Sequence, residues 1–117
     1  MSKRQESIQL YVTLDEHNVC ESIRWEATQQ PDDAHQDAKA FSLAIWDGTG
    51  SGTLKIDLWN KEMNVIEMKR FCIETIATMA DTLRKATGDE LMAMEIENCC
   101  KRLDERLLQE MRSMNMK

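Results

Sequence analysis

The sequence predicts an α+β protein, in which an antiparallel sheet of about four strands, built from two β-hairpins, is followed by two C-terminal α-helices packed on it. Before residue 60, apolar residues alternate with polar ones, which is the period of half-buried strands; after it they recur every three or four residues, as in helices. All three tryptophans precede residue 60, whereas eight of the nine methionines follow it. Aromatic side chains favour strands and long unbranched ones suit helices, so composition predicts the same order.

Length and charge restrict the class of protein. The 117 residues fit a single domain, 1–117. With 15 basic and 21 acidic residues the net charge is −6, which disfavours nucleic-acid binding. No segment reaches the roughly 20 apolar residues of a membrane span, and no apolar stretch follows the first residues as it does in a signal peptide. We therefore expect a cytoplasmic protein with no nucleic-acid partner and no direct membrane insertion.

The first hairpin is predicted to begin near residue 7, with a turn at residues 15–18. The alternation of apolar residues sets a register in which Leu14 faces Val19, Leu10 faces Ile23 and Ile8 faces Trp25. In that register Glu21 lies opposite Val12 on the apolar face. We therefore expect a bulge, an open edge or a register error at Glu21. A loop is predicted over residues 29–37, which include a proline and three aspartates.

The second hairpin is predicted around the glycine-rich segment 47–52 and ends near residue 60. Its register pairs Ile45 with Leu54, Leu43 with Ile56, and Phe41 with Leu58. The opposite face then carries Ala40, Ser42, Ala44, Trp46, Thr53, Lys55, Asp57 and Trp59. A helix from about Ala34 to Trp46 is the competing interpretation, because apolar residues there also fit helical spacing.

Two helices are predicted at about 65–87 and 89–114. Asn64 and Glu67 have the spacing of a capping box, and Gly88 suits the left-handed position that ends a helix. The first helix carries a stronger apolar stripe, which consists of Met68, Cys72, Ile76, Met79 and Leu83 and is widened by Phe71 and Ala80. A weaker stripe consists of Ile66, Ile73 and Ala77. The second carries Met92, Ile96, Cys99, Leu103, Leu107, Met111 and Met114. This methionine-rich stripe predicts core packing, a homodimer contact or an adaptable partner surface.

Residues that could perform catalysis or hold a metal are few. His17 and Cys20 have the spacing of metal ligands, but no second pair completes a site. No pattern places two carboxylates around a cleft, and Glu21 is the one carboxylate predicted to face inward. We expect no catalytic residue, no metal and no cofactor. Glu21 remains the candidate ligand-binding group of an alternative function, a small-molecule binder or a hydrolase.

Four residues on the polar face of the second hairpin are candidates for protein binding: Trp46, Trp59, Lys55 and Asp57. Tryptophan is enriched among the residues that dominate binding energy at protein interfaces. In the alternative interpretation, the first hairpin, a helix or a second copy of the chain buries both indoles, since tryptophan is mostly buried on average.

The order of these motifs resembles the gliding motility protein GldC family of Bacteroidetes over about residues 7–88. The matching segments are Leu14–Val19, Ile23–Trp25, Ala27–Thr28, Lys39–Ala40, Trp46–Asp47, Leu54–Trp59, Met63, Met68–Lys69 and Met79–Thr82. The resemblance implies a small cytoplasmic accessory protein of the gliding machinery, which is linked to type IX secretion. It brings no established catalytic residues.

The resemblance also implies the partners, which would be protein components of the gliding and secretion apparatus. A homodimer is a further expectation. Two alternatives stay open at this point: a small-molecule binder or hydrolase that uses Glu21, and a secretion-chaperone-like protein that binds an unfolded client segment along a sheet edge.

Overall fold

A computed structural model describes residues 2–30 and 36–115. The elements are β1 (Ile8–Leu14), β2 (Cys20–Ala27), β3 (Asp37–Ala38), β4 (Ala40–Trp46), β5 (Thr53–Trp59), α1 (Val65–Thr87) and α2 (Glu90–Asn115). This order confirms the α+β class, the two hairpins and the two C-terminal helices. Residues 31–35 of the predicted loop lie outside the described residues.

The chain divides into two compact units between Met63 and Asn64. In the first unit the strands form two antiparallel sheets, one of three strands in the order β1-β2-β3 and one of β4 and β5. The second unit contains both helices. The packing of the helices on the sheet stays a prediction.

The register of the first hairpin differs by two residues from the prediction, because Leu10 lies opposite Trp25 and Val12 lies opposite Ile23. The position of the turn accounts for one residue of this two-residue difference. It closes between Asp15 and Val19, whose backbone N–H and C=O are joined at 2.9 Å, so Leu14 has Cys20 as its partner. The Asp15 carboxylate stabilises this turn by accepting hydrogen bonds from the backbone N–H groups of His17 and Val19, at 2.8 and 3.0 Å.

A β-bulge accounts for the second residue. Thr13 pairs with Ser22 and Leu14 pairs with Cys20, so Glu21 has no partner in β1. The extra residue changes the alternation of β2, and the side chains of Cys20 and Ile23 are both buried although they are three residues apart. The expected irregularity at Glu21 is therefore confirmed as a bulge.

The register of the second hairpin agrees with the prediction at every predicted pair. The Asp47 side chain orders the connecting loop by accepting hydrogen bonds from the backbone N–H and the hydroxyl of Thr49 and from the hydroxyl of Ser51. Gly50 has φ +77°, a left-handed conformation that favours glycine. The alternative helix is wrong over the described residues 36–46, because β-ladder hydrogen bonds with β5 take up the backbone of β4.

Both ends of α1 have the predicted caps. The Asn64 side chain accepts from the Glu67 backbone N–H at 2.8 Å, and the Glu67 carboxylate accepts from the Asn64 backbone N–H at 3.3 Å. Gly88 has φ +73° and donates its N–H to the carbonyl of Arg84. Two residues separate α1 from α2, so the helices form an antiparallel hairpin.

The core of the helical unit centres on Ile73, Cys100 and Leu107. Partly buried apolar side chains surround it: Ile66, Ala77, Ile96, Leu103 and Met111. The weaker predicted stripe of α1 therefore contacts α2. Ala80 and Ala93 are completely buried, and side chains this small allow two helix backbones to approach closely. The stronger stripe lies beside this contact, and Cys72, Ile76 and Met79 remain exposed.

Arg84 holds the connection between the helices through carboxylates on both. Its guanidinium lies 2.6 Å from Glu90 and 2.9 Å from Glu97 of α2, and 3.2 Å from Asp81 of α1. The hydrogen bonds that Arg84 donates, first to Glu90 and then to Glu97, raise the pKa of Arg84, and the same bonds to Glu90 lower the pKa of Glu90 below its ordinary value of 4.5.

Arg84→Met tests this network through the pH dependence of stability. A carboxylate whose pKa is lowered by folding stabilises the native state above its unfolded pKa and loses that contribution as the pH falls through the folded pKa. We therefore expect Arg84→Met to lower the free energy of unfolding near neutral pH, and we expect this difference from the wild type to shrink well below pH 4.5. Urea unfolding across this range measures it.

Arg102→Met is the matched control, because Arg102 is exposed on α2 and forms no ion pair among the described residues. This variant should follow the wild-type profile. A loss of stability in Arg84→Met that is equal at all pH values would contradict an electrostatic role.

Candidate functional site

One face of the β4–β5 hairpin carries the residues predicted to bind protein. This tryptophan face consists of Ala40, Ser42, Ala44 and Trp46 from β4 and Thr53, Lys55, Asp57 and Trp59 from β5. Trp46 lies opposite Thr53 at the loop end, and Trp59 lies opposite Ala40 at the other end. Since a strand rises about 3.4 Å per residue, the two indoles are about 20 Å apart along the hairpin.

Both indoles are exposed, Trp46 by 67% and Trp59 by 52%. Their cross-strand neighbours on this face, Thr53 and Ala40, are too small to cover an indole ring. The third tryptophan, Trp25, is half-buried in the other sheet. The tryptophan face is thus an exposed surface with a large aromatic group at each end and small side chains along β4.

An ion pair occupies the centre of the tryptophan face. The Lys55 ammonium lies 2.7 and 3.0 Å from the two carboxylate oxygens of Asp57, two residues along the same strand. The pKa of Asp57 is lowered, mainly by the hydrogen bond from Lys55 and then by one from Ser42. The Asp57 carboxylate is therefore charged at neutral pH, and it lies on the same face as the two indoles.

The opposite side of the same hairpin is aliphatic and also exposed. Leu43, Ile45, Leu54 and Ile56 are exposed by 38–61%. An isolated two-stranded hairpin is marginally stable at best, because it buries little apolar surface. An exposed apolar surface on a hairpin is typical of an interaction site, and the two indoles are the largest apolar groups that this hairpin exposes.

The prediction that Glu21 faces inward is wrong. Its side chain is 53% exposed and lies 3.7 Å from the ammonium of Lys61. The regular alternation behind the prediction ends at the bulge, which turns Glu21 to the surface. Lys61 also contacts Asp15 at 3.2 Å, and the pKa of Asp15 is lowered, mainly by the backbone hydrogen bonds from Val19 and His17.

The potential metal ligands His17 and Cys20 lie in different environments. His17 is an exposed turn residue, whereas Cys20 is buried with its thiol directed at the carbonyl of Ser22, 3.9 Å away. Across residues 2–30 and 36–115, no group of three or more His, Cys, Asp or Glu side chains could hold a metal ion.

A groove between α1 and α2 was not predicted from the sequence. It has a volume of about 300 Å³. Its lining includes Met68, Cys72 and Ile76 of α1 and Leu103, Arg106 and Glu110 of α2. The Lys69–Glu110 ion pair, at 2.7 Å, lies among its lining residues. The sequence did contain a signal for this groove. The apolar surface of α1 is wider than a contact with one helix can cover, so part of its stronger stripe lines the groove instead.

These features define a small α+β protein made of two hairpins and a helical pair, with an exposed sheet face that carries two tryptophans. The family model described as gliding motility-associated protein GldC-like matches residues 20–109, which include the whole tryptophan face. The match covers more than half of the chain, and the chain therefore belongs to the GldC-like family. This confirms the family resemblance and connects the protein with gliding motility.

No match was found among curated proteins or among solved structures. Neither helix has an apolar stretch that could cross a membrane, over the part of the chain that the structure describes.

Fluorescence quenching tests the exposure of the tryptophan face. Because Trp46 and Trp59 are exposed and Trp25 is half-buried, iodide should quench most of the emission of the first two. Trp46→Phe combined with Trp59→Phe should remove most of the quenchable fraction and change the free energy of unfolding by only about 0.5 kcal/mol. Trp25→Phe is the control and should keep the quenchable fraction. The reverse pattern would place the indoles in a covered position.

Proposed function

We propose that this protein is a non-enzymatic cytoplasmic accessory protein of the bacterial gliding motility machinery, which is linked to type IX secretion. It acts through protein–protein contacts made by the tryptophan face, with protein components of the gliding and secretion apparatus as its partners. Membership of the GldC-like family supports the connection with gliding, and the site supports the mode of action.

The observation that carries the mode of action is the exposure of Trp46 and Trp59 on one face of one hairpin. Truncation of a tryptophan at the centre of an interface often costs 2 kcal/mol or more of binding free energy, roughly, because a large ring is desolvated without much loss of conformational entropy. Leaving two such rings in water without a partner is unfavourable, so a partner that covers them gains apolar burial at both ends of the face.

The chemistry of the face also describes the surface that would fit it. The small side chains of Ala40, Ser42 and Ala44 leave room along β4 for apolar side chains of the partner. Lys55 and Asp57 present one charge of each sign between the indoles, which favours a partner with a complementary pair and disfavours one with a single uncompensated charge.

The ligand-binding alternative at Glu21 has less support. A carboxylate that recognises a small molecule usually lies in a concave and mostly apolar pocket. Glu21 instead lies exposed on a β-bulge, and Lys61 already neutralises part of its charge.

Capture from a gliding bacterium tests the proposal. The tagged native protein should recover gliding or secretion components from a lysate, and Trp46→Ala combined with Trp59→Ala should lose them and impair cell spreading. The matched control is Leu54→Ala with Ile56→Ala, which truncates two exposed residues on the aliphatic side of the same hairpin.

Circular dichroism establishes that both double variants are folded before the comparison. The proposal fails if the tryptophan variant recovers the same components as the native protein and supports normal spreading. It also fails if the aliphatic control loses the components while the tryptophan variant retains them.

A further inference from the structure

The hydrogen-bonding phase of the β4–β5 ladder determines which backbone groups of β5 point away from β4. Asn60 donates its N–H to the carbonyl of Lys39 at 2.7 Å, and Asp47 donates its N–H to the carbonyl of Gly52 at 2.9 Å. Since bonded and non-bonded pairs alternate along an antiparallel ladder, the even-numbered residues of β5 bond to β4. The N–H and C=O groups of the odd-numbered residues, Thr53, Lys55, Asp57 and Trp59, point to the outer edge.

No strand pairs with that outer edge. The sheet contains only β4 and β5, and in the described part of the chain no other strand forms a ladder with β5. Beyond the end of β5 the backbone approaches β2, where Lys61 donates its N–H to the carbonyl of Cys20 at 3.0 Å. An edge with a row of unpaired donors and acceptors is a template for another strand, and proteins commonly protect such edges with charged side chains, above all lysine, or with proline. The residues of β5 whose backbone groups point to the outer edge include one lysine and one aspartate, and β5 contains no proline.

The sequence of β5 is complementary to itself when it is read antiparallel about Ile56. A twofold axis at Ile56 places Lys55 opposite Asp57 of a second copy, and Asp57 opposite Lys55. The same axis places Leu54 opposite Leu58. The hydrogen-bonding phase agrees, because Lys55 and Asp57 both direct their backbone groups outward and would form bonded pairs, whereas Ile56 would form the non-bonded pair on the axis.

Other axes in the strand are less favourable. An axis at Leu54 or at Leu58 would place neither charge of β5 opposite a charge of the other sign within the strand. An axis at Lys55 or at Asp57 would place two like charges directly opposite each other, which is destabilising. An axis between two residues would pair a residue whose backbone groups point to the outer edge with one whose backbone groups already bond to β4. Such a pair could not form the hydrogen bonds of a ladder. The charges of β5 therefore favour one register.

We propose that the outer edge of β5 binds a second copy of this chain, antiparallel and with its twofold axis at Ile56. The product is a four-stranded sheet in the order β4-β5-β5-β4. Paired residues lie on the same side of a sheet, so the two tryptophan faces form one continuous surface with four indoles, and the aliphatic faces join on the other side. The inference goes beyond the proposed function, because it concerns the strand edge rather than the face that contacts other proteins.

Disulfide crosslinking tests the register. Opposite Cα atoms in a non-bonded antiparallel pair are about 4.5 Å apart, within the range that a disulfide spans. Ile56→Cys should therefore form a covalent dimer under mild oxidation. In the same arrangement the two Leu54 residues are offset by four positions, about 13 Å, which is too far for a disulfide.

Leu54→Cys is thus the matched control, since Leu54 lies on the same face and is exposed to a similar extent, 61% against 55% for Ile56. Both variants are made with Cys72→Ser, because Cys72 is exposed and could crosslink by itself. Crosslinking of Ile56→Cys alone supports the proposal. Equal crosslinking of the two variants, or of Leu54→Cys alone, overturns it.

Sedimentation equilibrium of the native chain and of charge variants tests the complementarity. The native chain should reach a mass of about twice 13.6 kDa with increasing concentration. Lys55→Glu should weaken the dimer by about tenfold, because it replaces two attractions by two repulsions across the axis. Asp57→Lys should do the same, and Lys55→Asp combined with Asp57→Lys should restore the dimer.

Arg24→Glu is the control for charge reversal as such. Arg24 forms a similar ion pair with Glu26, two residues along β2, but it has β1 on one side and β3 on the other and so has no open edge. It should leave the dimer unchanged. A native chain that stays a monomer throughout, or a double exchange that fails to restore the dimer weakened by the single reversals, contradicts the proposal. Neither result affects the test of the tryptophan face by capture.

Discussion

The ladder between β4 and β5 is the interaction on which the candidate site depends. Its register decides that Trp46, Lys55, Asp57 and Trp59 share one face, and its phase decides which backbone groups of β5 remain open. A shift of one residue would send one strand's half of the tryptophan face to the aliphatic side. The Asp47 loop is therefore as important to the site as the tryptophans, because it fixes where the two strands begin to pair.

The two hairpins show what sequence patterns can and cannot determine. The second was predicted to the exact pair, because both strands alternate without interruption and a glycine-rich loop marks where they meet. The first was predicted two residues out of register. Its turn is closed by the Asp15 side chain rather than by the nearest apolar pair, and a bulge at Glu21 changes the alternation. A bulge was one of three expected outcomes at Glu21, but the alternation could not indicate that the side chain would turn to the surface.

In the helical unit, the periodicity of apolar residues located both helices, and the capping residues located the ends of α1. The stripe of α1 with more large apolar residues was ranked as the stronger one, although it is not the stripe that packs on α2. The contact with α2 instead uses the stripe that contains Ile73 and Ala77, beside the fully buried Ala80 and Ala93. Close approach of two helices requires small side chains, and a count of large apolar residues does not measure that. The alternation of residues along β4 and β5 predicted which residues share the face of the candidate site. Whether another part of the protein covers that face depends on tertiary structure, which the alternation does not determine. The connection with gliding came from family resemblance, and the family match extends it through α2 to residue 109.

The most direct test of the β4–β5 register is amide hydrogen exchange along β5, residue by residue, by NMR at low protein concentration. The register predicts an alternation, with slow exchange at Leu54, Ile56 and Leu58, whose N–H groups bond to β4. Exchange should be fast at Lys55 and Asp57, whose N–H groups point to the outer edge. Fast exchange at Leu54, Ile56 and Leu58 with slow exchange at Lys55 and Asp57 would contradict it, because the register that forms the tryptophan face and the edge proposed for self-association would both be wrong.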